Sequence, residues 1–190
     1  MRVLAISGSL RRGSHNTRLL GVAAHLVPPP TELELFDGLK DVPPYDEDDD
    51  VDPAPEPARR LRQAIADADA LLIATPEYNS SLPGQLKNAL DWASRPFPDN
   101  VLRNKPVAVI GASTGVFGAV WAQAEARKVL AATGARVIDI ELPVAGAEAA
   151  LDGDRLADRE LHARLEEIIH ELIEAVRERS QPVLERALAA

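Results

Sequence analysis

The stretch SGSLRRGSHNT, residues 7–17, lies between the apolar run VLAI at 3–6 and an amphipathic segment that begins near Asn16. This order predicts a short buried strand, then a loop of glycines, hydroxyl groups and two arginines, and then a helix. Such a loop offers unpaired backbone N–H groups, the positive end of the helix dipole and hydroxyl donors. We therefore interpret the stretch as a binding site for a phosphate group.

The rest of the chain repeats this unit, because apolar strands alternate with amphipathic helices. The strands are predicted at 3–6, 31–36, 70–74, 107–111 and 136–142. The helices are predicted at 17–26, 58–68, 83–93 and 158–179, and a further helix before the last strand ends near residue 132. Unbroken Val, Ile and Leu runs between helices predict a parallel sheet that is covered on both faces. The fold class is α/β, a doubly wound flavodoxin-like three-layer sandwich with a five-stranded parallel sheet of order 2-1-3-4-5. The Asp- and Pro-rich segment 37–57 is predicted to be a solvated loop.

The composition narrows the class of protein. A chain of 190 residues suits one domain, predicted over 1–180, with a flexible C-terminal tail at 181–190. With 21 Lys+Arg against 30 Asp+Glu, the net charge of −9 argues against nucleic acid or an anionic membrane as a partner. The absence of cysteine excludes thiolate catalysis and cysteine-based metal sites. The first strand leaves no room for a signal peptide and no apolar run could span a bilayer, so a cytoplasmic location is predicted.

In a doubly wound sheet, ligands bind beyond the carboxyl ends of the strands at the switch point, here between the first and third strands. This rule places three loops around one crevice, at 7–16, 75–81 and 112–115. The first loop has P-loop spacing, but Ser14 and His15 stand where that motif requires Lys and Ser/Thr, and a GxGxxG motif is absent. A single phosphomonoester fits better. Its predicted ligands are Ser9, Arg11, Ser14, Asn16 and Thr17, although helix capping is the alternative for Ser14 or Asn16 alone.

The other two loops have the composition of a site for a planar ring. The second loop supplies an aromatic ring, an amide and exposed backbone groups, while the third supplies small residues that let a flat ring approach the backbone. A planar heterocycle with one phosphate is the ligand that this combination favours, and FMN is the candidate. The predicted contacts are Pro76, Glu77, Tyr78, Asn79, Ser113, Thr114 and Gly115.

Three blocks, GSLRRGSHN at 8–16, TPEYNSSLPGQLKNALDW at 75–92 and GASTGVFG at 111–118, resemble the signature blocks of the NADPH-dependent FMN reductase family. The resemblance extends over roughly residues 1–140. It implies FMN as cofactor, NADPH or NADH as co-substrate, and a flavin, quinone or similar small molecule as electron acceptor. It also implies that the first-loop residues hold the FMN phosphate, that 76–79 line the isoalloxazine and ribityl chain, and that 113–115 close the other edge of the ring.

The chain departs from the family pattern at one place. Where many members have a second glycine and an arginine after Gly118, this sequence has Ala119 and Trp121. The departure concerns contacts with the pyridine nucleotide or the acceptor.

For such a reductase, hydride would pass from NAD(P)H to the flavin and on to the acceptor in a ping-pong cycle. No side chain need act as acid or base, so we assign no catalytic residue and no metal site. Backbone N–H groups around 77–79 and 113–115 are predicted to stabilise negative charge on the ring. The main alternative is a flavodoxin-type electron carrier between protein partners, which the net charge suits, whereas Arg11 and the PEYN sequence favour a reductase. An FMN-free relative is a third interpretation.

The resemblance also concerns assembly, since family members are commonly dimers or tetramers built around the helix after the third strand. A homodimer or homotetramer is therefore predicted through the helix 82–93. Trp92 is expected to leave a second apolar patch, and Asp91 and Arg95 to form a charged pair across the interface. Packing of the apolar stripe into the protein's own core is the alternative. The stripe consists of Leu82, Leu86, Ala89, Leu90 and Ala93.

Overall fold

The computed structural model describes residues 1–153 and 155–180, so the predicted tail at 181–190 lies outside the described residues. A parallel sheet forms its centre, with strand order β2-β1-β3-β4-β5. This order confirms the predicted doubly wound, flavodoxin-like fold. The strands are β1 (Arg2–Ser7), β2 (Glu32–Leu35), β3 (Ala70–Thr75), β4 (Pro106–Ala112) and β5 (Arg136–Val137).

Helices cover both faces of the sheet, because alternate residues of the central strands point to opposite sides. Leu4, Leu71 and Val107 pack on one face, against α2, α3 and α4. Val3 and Leu72 pack on the other face, against α1 and α6. The helices are α1 (His15–Leu26), α2 (Glu56–Asp67), α3 (Gly84–Ala93), α4 (Val120–Ala132), α5 (Ala147–Ala150) and α6 (Arg159–Ser180).

The predicted continuous strand 136–142 is wrong, because the chain leaves the sheet after β5 and returns as β6 (Pro143–Val144). Both short strands pair with β4, with Val137 opposite Val107 and Pro143 opposite Gly111. Six steps of chain thus face four steps of β4, so the two extra residues must bulge outward. The buried side chain of Gln123 stabilises the return by accepting a hydrogen bond of 3.0 Å from the Leu142 N–H.

The segment 37–57 is not the solvated loop that its composition predicts. It contains two short 3₁₀ turns, and Leu39, Val42 and Ala54 are buried. The Pro43 carbonyl accepts hydrogen bonds from the Trp92 indole, at 2.8 Å, and from the Asn88 amide, at 2.7 Å. The apolar residues scattered among the aspartates therefore cover the outer side of α3.

This covering segment removes three reasons for predicting an interface on α3. The apolar stripe of α3 is buried within the chain, as is Trp92, which is fully buried and packs edge-on against Tyr45 at 5.0 Å. Asp91 pairs with Lys87 at 2.6 Å, and Arg95 donates to the Tyr45 hydroxyl at 3.2 Å. Core packing, the alternative interpretation, accounts for the stripe, and homo-oligomerisation stays a prediction.

The segment after β6 contains elements that the sequence patterns did not predict. The single-turn helix α5 leads into an antiparallel hairpin of β7 (Leu151–Asp152) and β8 (Arg155–Leu156). Arg18 on α1 donates to the Leu151 carbonyl at 2.9 Å and so attaches the hairpin to α1. Across 1–153 and 155–180, no helix combines the length and the apolarity needed to cross a bilayer.

Candidate active site

A cavity of about 320 Å³ lies at the carboxyl ends of β1, β3 and β4. Larger grooves, of about 490 and 500 Å³, lie along α2 and beside the β7–β8 hairpin. We place the site in the smaller cavity because it occupies the switch point of the sheet and is lined by all three predicted loops. Its lining residues are Ser9, Arg11, His15, Asn16, Pro76, Glu77, Tyr78, Ala112, Ser113, Thr114 and Glu148.

The structure separates the predicted site residues into two groups. Most of them line the cavity, whereas Ser14, Thr17, Asn79 and Gly115 do not. Ser14 caps α1, because its Oγ accepts a hydrogen bond of 3.1 Å from the Thr17 N–H. The Thr17 hydroxyl in turn donates to the Ser7 Oγ at 2.8 Å. These hydroxyl groups fix the start of α1 from behind the cavity wall.

Asn16 lies in the cavity wall, but its amide is engaged within the protein. Its Nδ2 donates to the Ala112 carbonyl and its Oδ1 accepts from the Ala112 N–H, both at 2.9 Å. The residue is 2 % exposed. Asn16 therefore clamps the first loop to the end of β4, and its side chain positions the cavity rather than filling it.

The first loop concentrates positive potential at one end of the cavity. The first turn of α1 has N–H groups, at His15 and Asn16, that no carbonyl of the helix can accept. Among residues 1–153 and 155–180, Arg11 has neither a hydrogen bond nor an ion pair. This end of the cavity can therefore bind a phosphate through Arg11, Ser9 and the helix terminus.

The second loop is a tight turn that presents an aromatic ring. Tyr78 and Ser81 exchange both backbone hydrogen bonds, at 3.1 and 3.2 Å. The two residues between them, Asn79 and Ser80, have φ values of 53° and 60°, the left-handed conformation that such a turn requires. Tyr78 is 55 % exposed at the cavity rim, so its ring is available to a ligand, whereas Asn79 lies at the tip of the turn.

Two glutamates tie the second loop to α4. The Glu77 carboxylate accepts hydrogen bonds from the Trp121 and Ala122 N–H groups at the start of α4, at 3.0 and 3.1 Å. Ala119, the residue directly before α4, has no polar side chain with which to cap the helix, so Glu77 supplies the N-terminal cap instead. Glu77 therefore lines the cavity while fixing the position of α4.

The second of these glutamates, Glu125, makes the reciprocal connection from α4 back to the second loop. Its carboxylate accepts from the Ser81 hydroxyl and from the Leu82 N–H, the latter at 3.1 Å. The hydrogen bond from Ser81, and next the one from Leu82, hold the pKa of Glu125 below its ordinary value.

The third loop makes a close backbone crossing before α4. Gly118 has φ +58°, and a Cβ there would lie 2.4 Å from the Pro143 carbonyl carbon, so only glycine fits. Ala119 is also left-handed, with φ 63°. The Ser113 N–H donates to the Val144 carbonyl at 3.0 Å. Like the Tyr78 N–H, it is therefore already engaged, and neither serves the predicted charge stabilisation.

Three residues of the cavity wall are not among the predicted contacts: His15 and Ala112, which lie within the predicted loops, and Glu148, which lies outside them. Position 15 lies inside the predicted anion loop, and its place at the start of the helix was the available signal. Ala112 directly follows the predicted fourth strand. No sequence signal pointed to Glu148, because it reaches the cavity on α5, which follows the two short strands β5 and β6.

Comparison with known proteins agrees with this geometry. The sequence profile of the NADPH-dependent FMN reductase family matches residues 1–149. An NAD(P)H-dependent FMN reductase of Pseudomonas aeruginosa is 50 % identical over 130 residues, 68 % of this chain and 69 % of that protein. The chain belongs to the NADPH-dependent FMN reductase family. A 2-hydroxy-1,4-benzoquinone reductase of a Burkholderia species is 48 % identical to this FMN reductase family member over 131 residues, covering 69 % of this chain and 70 % of the relative.

A solved structure resembles this FMN reductase family member over nearly its whole length. It is FerB, a flavoenzyme NAD(P)H:(acceptor) oxidoreductase from Paracoccus denitrificans. The TM-score is 0.81 at 36 % identity, and the match covers 93 % of this chain and 97 % of FerB. The family resemblance stated from the sequence is thereby confirmed.

The residues of the cavity fit FMN, the cofactor of the family. Arg11 and the N-terminus of α1 supply positive charge for one phosphate. The Nδ1 of His15 is buried without a hydrogen-bond partner among the described residues, a vacancy that a polar ligand can fill. Tyr78, Pro76 and Ser113 also line the cavity and supply surfaces for a planar ring. The volume lies at the lower end of the range for ligand pockets.

Proposed function

We propose that this enzyme oxidises NAD(P)H through bound FMN and passes the electrons to a small quinone-like acceptor in a ping-pong cycle. The observation that carries the proposal is the cavity at the switch point, whose lining combines Arg11 and the start of α1 with the exposed Tyr78. The 2-hydroxy-1,4-benzoquinone reductase among its relatives supports a quinone as acceptor. FMN, when bound, supplies the hydride chemistry.

The chain's own groups bind and orient in this proposal. Arg11, Ser9 and the N-terminus of α1 hold the phosphate, and the Tyr78 turn holds one side of the ring. The Glu77 carboxylate accepts two hydrogen bonds from the start of α4, and these hold α4 and the third loop against the second loop. No side chain transfers a proton to the acceptor, and we assign no catalytic residue. Residues 1–180 act together as one FMN-binding domain.

A flavodoxin-type electron carrier is the competing function. The unpaired Arg11 beside the phosphate end and the FMN reductase relatives favour the reductase. Steady-state kinetics separate the two functions. A reductase oxidises NAD(P)H with 1,4-benzoquinone in the absence of any protein partner. Parallel lines in double-reciprocal plots support ping-pong turnover, intersecting lines contradict it, and no turnover contradicts the reductase.

The same chain is proposed to form a homodimer or homotetramer, through a different surface from the α3 stripe. Phe117 and Trp121, at the start of α4, pack with ring centroids 4.8 Å apart, yet they are 58 % and 45 % exposed. Val116 beside them is also exposed. An exposed aromatic patch of this kind favours an interface, and a second copy of the chain is the proposed occupant. The cytoplasmic location stays a prediction from the sequence.

A further inference from the structure

We propose that His15, in its protonated form, is a ligand of the FMN phosphate and makes FMN binding stronger at acidic pH. This inference rests on the proposed function, because it assigns a residue of this chain to the cofactor that the cavity is proposed to hold. Neither the sequence motif nor the capping pattern of α1 requires a histidine at this position. The proposal depends on where the imidazole lies and on its lack of partners.

His15 is the first residue of α1, directly after the capping residue Ser14. His15 lines the cavity together with Ser9 and Arg11, the other residues proposed to bind the phosphate. The position therefore brings the ring to the place where the helix terminus and Arg11 attract an anion. A histidine on the opposite side of α1 could not contact a phosphate bound in the cavity.

Within residues 1–153 and 155–180, the His15 imidazole has no hydrogen-bond partner. Its Nδ1 is buried with no hydrogen bond, and the ring makes no hydrogen bond to any described residue. A buried polar atom of this kind loses its hydrogen bond to water and gains no hydrogen bond within the protein. A phosphate oxygen restores the lost interaction, and the ring can turn to meet it because no protein hydrogen bond fixes its orientation.

Charge decides which form of the ring binds. A positive imidazole attracts a phosphate more strongly than a neutral one does. Glu148, another residue of the cavity wall, is a negative group. The titratable and charged groups around the ring are Arg11 and Arg12 from its own loop, Arg18 from α1, Glu77 and Tyr78 from the second loop, and Glu148 from α5.

Imidazole groups in general change charge between about pH 5 and 8, so FMN binding is compared at pH 5.5 and at pH 8. The FMN phosphate also gains charge over this range, since phosphate monoesters titrate near pH ~6. The protonation of free FMN is the same for every variant. The ratio of FMN dissociation constants between two variants therefore isolates the histidine.

The test titrates the full-length chain, freed of flavin, with FMN by fluorescence quenching at both pH values. His15→Gln is the variant, and His25→Gln, on the exposed last turn of the same helix, is the matched control. We expect His15→Gln to weaken FMN binding about tenfold at pH 5.5, as for a charge-assisted hydrogen bond, and by less than twofold at pH 8. His25→Gln should change neither value, and riboflavin, which lacks the phosphate, should bind all three proteins alike.

Two results overturn the inference while leaving the proposed function intact. One is an equal FMN dissociation constant for wild type and His15→Gln at pH 5.5. The other is an equal loss at both pH values that riboflavin shares, which is the mark of a merely structural role. A wild-type chain that binds no FMN at either pH overturns both this inference and the proposed function.

Discussion

The side-chain amide of Asn16 forms two hydrogen bonds of 2.9 Å with the backbone of Ala112, one to the carbonyl and one from the N–H. This pair joins the first residues of α1 to the end of β4, 96 positions along the chain. Two of the three cavity loops are therefore held at a fixed separation by one buried residue.

Asn16→Asp should destabilise the fold, because a carboxylate can accept from the Ala112 N–H but cannot donate to its buried carbonyl. An unsatisfied buried carbonyl costs about 1–3 kcal/mol. Urea denaturation followed by circular dichroism measures the loss. Asn79→Asp, at the exposed tip of the Tyr78 turn, is the matched control and should change stability by less than about 0.5 kcal/mol. Equal stabilities for the two variants would show that the clamp does not stabilise the protein.

Arg11→Ala should weaken FMN binding by about 1.5–3 kcal/mol, the range for a hydrogen bond to a charged group. Arg12 is its natural control, since it is the next residue in the loop and does not line the cavity. A flavin-fluorescence titration should show the loss for Arg11→Ala, a much smaller one for Arg12→Ala, and none for riboflavin with either variant. The phosphate role of Arg11 is contradicted if both arginine variants bind FMN as the wild type does.

Glu125→Gln should lower stability more at pH 7 than at pH 3. The hydrogen bonds from Ser81 and Leu82 depress the pKa of Glu125. A depressed carboxyl pKa adds stability above the unfolded-state pKa, and this stability is lost as the pH falls through the folded-state pKa. The group is solvent-screened, so the difference should stay below about 1 kcal/mol.

Urea midpoints at the two pH values measure the effect of Glu125→Gln. Glu171→Gln serves as its control, because this residue is exposed on α6 and has no hydrogen bond or ion pair among the described residues. A difference that persists unchanged at pH 3 would assign the effect of Glu125→Gln to packing instead of charge.

Replacing Phe117 and Trp121 together by Ser should reduce the molecular mass in solution. The proposed interface loses its aromatic contact, whereas each chain keeps its core because both side chains are largely exposed. Light scattering coupled to size exclusion should give two or four copies for the wild type and a smaller assembly for the double variant. Leu35→Ser, an exposed apolar position on the edge strand β2, should leave the mass unchanged. A monomeric wild type at micromolar concentration contradicts the proposal.

The sequence predicts the sheet order and the three loops well, because both depend on local patterns. Strands such as Leu71–Ile73 are apolar without interruption, and the loop before α1 carries its own turn and capping residues. The burial of Trp92 could not be predicted, since it depends on the Pro43 carbonyl of a segment whose composition indicates a solvated loop. Local pattern fails where a distant segment decides the outcome.

In the candidate site, too, the sequence indicates which residues line the cavity but not which partners their side chains bind. Asn16 is predicted to bind the phosphate and lies in the cavity wall, but its amide bonds to Ala112, a partner distant in sequence that the sequence pattern does not indicate. Glu77 similarly lines the cavity while its carboxylate binds the start of α4. Glu148 reaches the cavity only because the last strand splits and α5 follows. Residue type and position can indicate a site, whereas the partner of each side chain is a property of the packed fold.

The central claim is tested most directly by mixing FMN-loaded protein with NADPH, and separately with NADH, in an anaerobic stopped-flow spectrophotometer. We expect rapid bleaching of the flavin absorbance by at least one nucleotide, and the return of this absorbance when 1,4-benzoquinone is added. The faster nucleotide is the preferred donor. A bound flavin that neither nucleotide bleaches contradicts the account and favours the flavodoxin-type electron carrier.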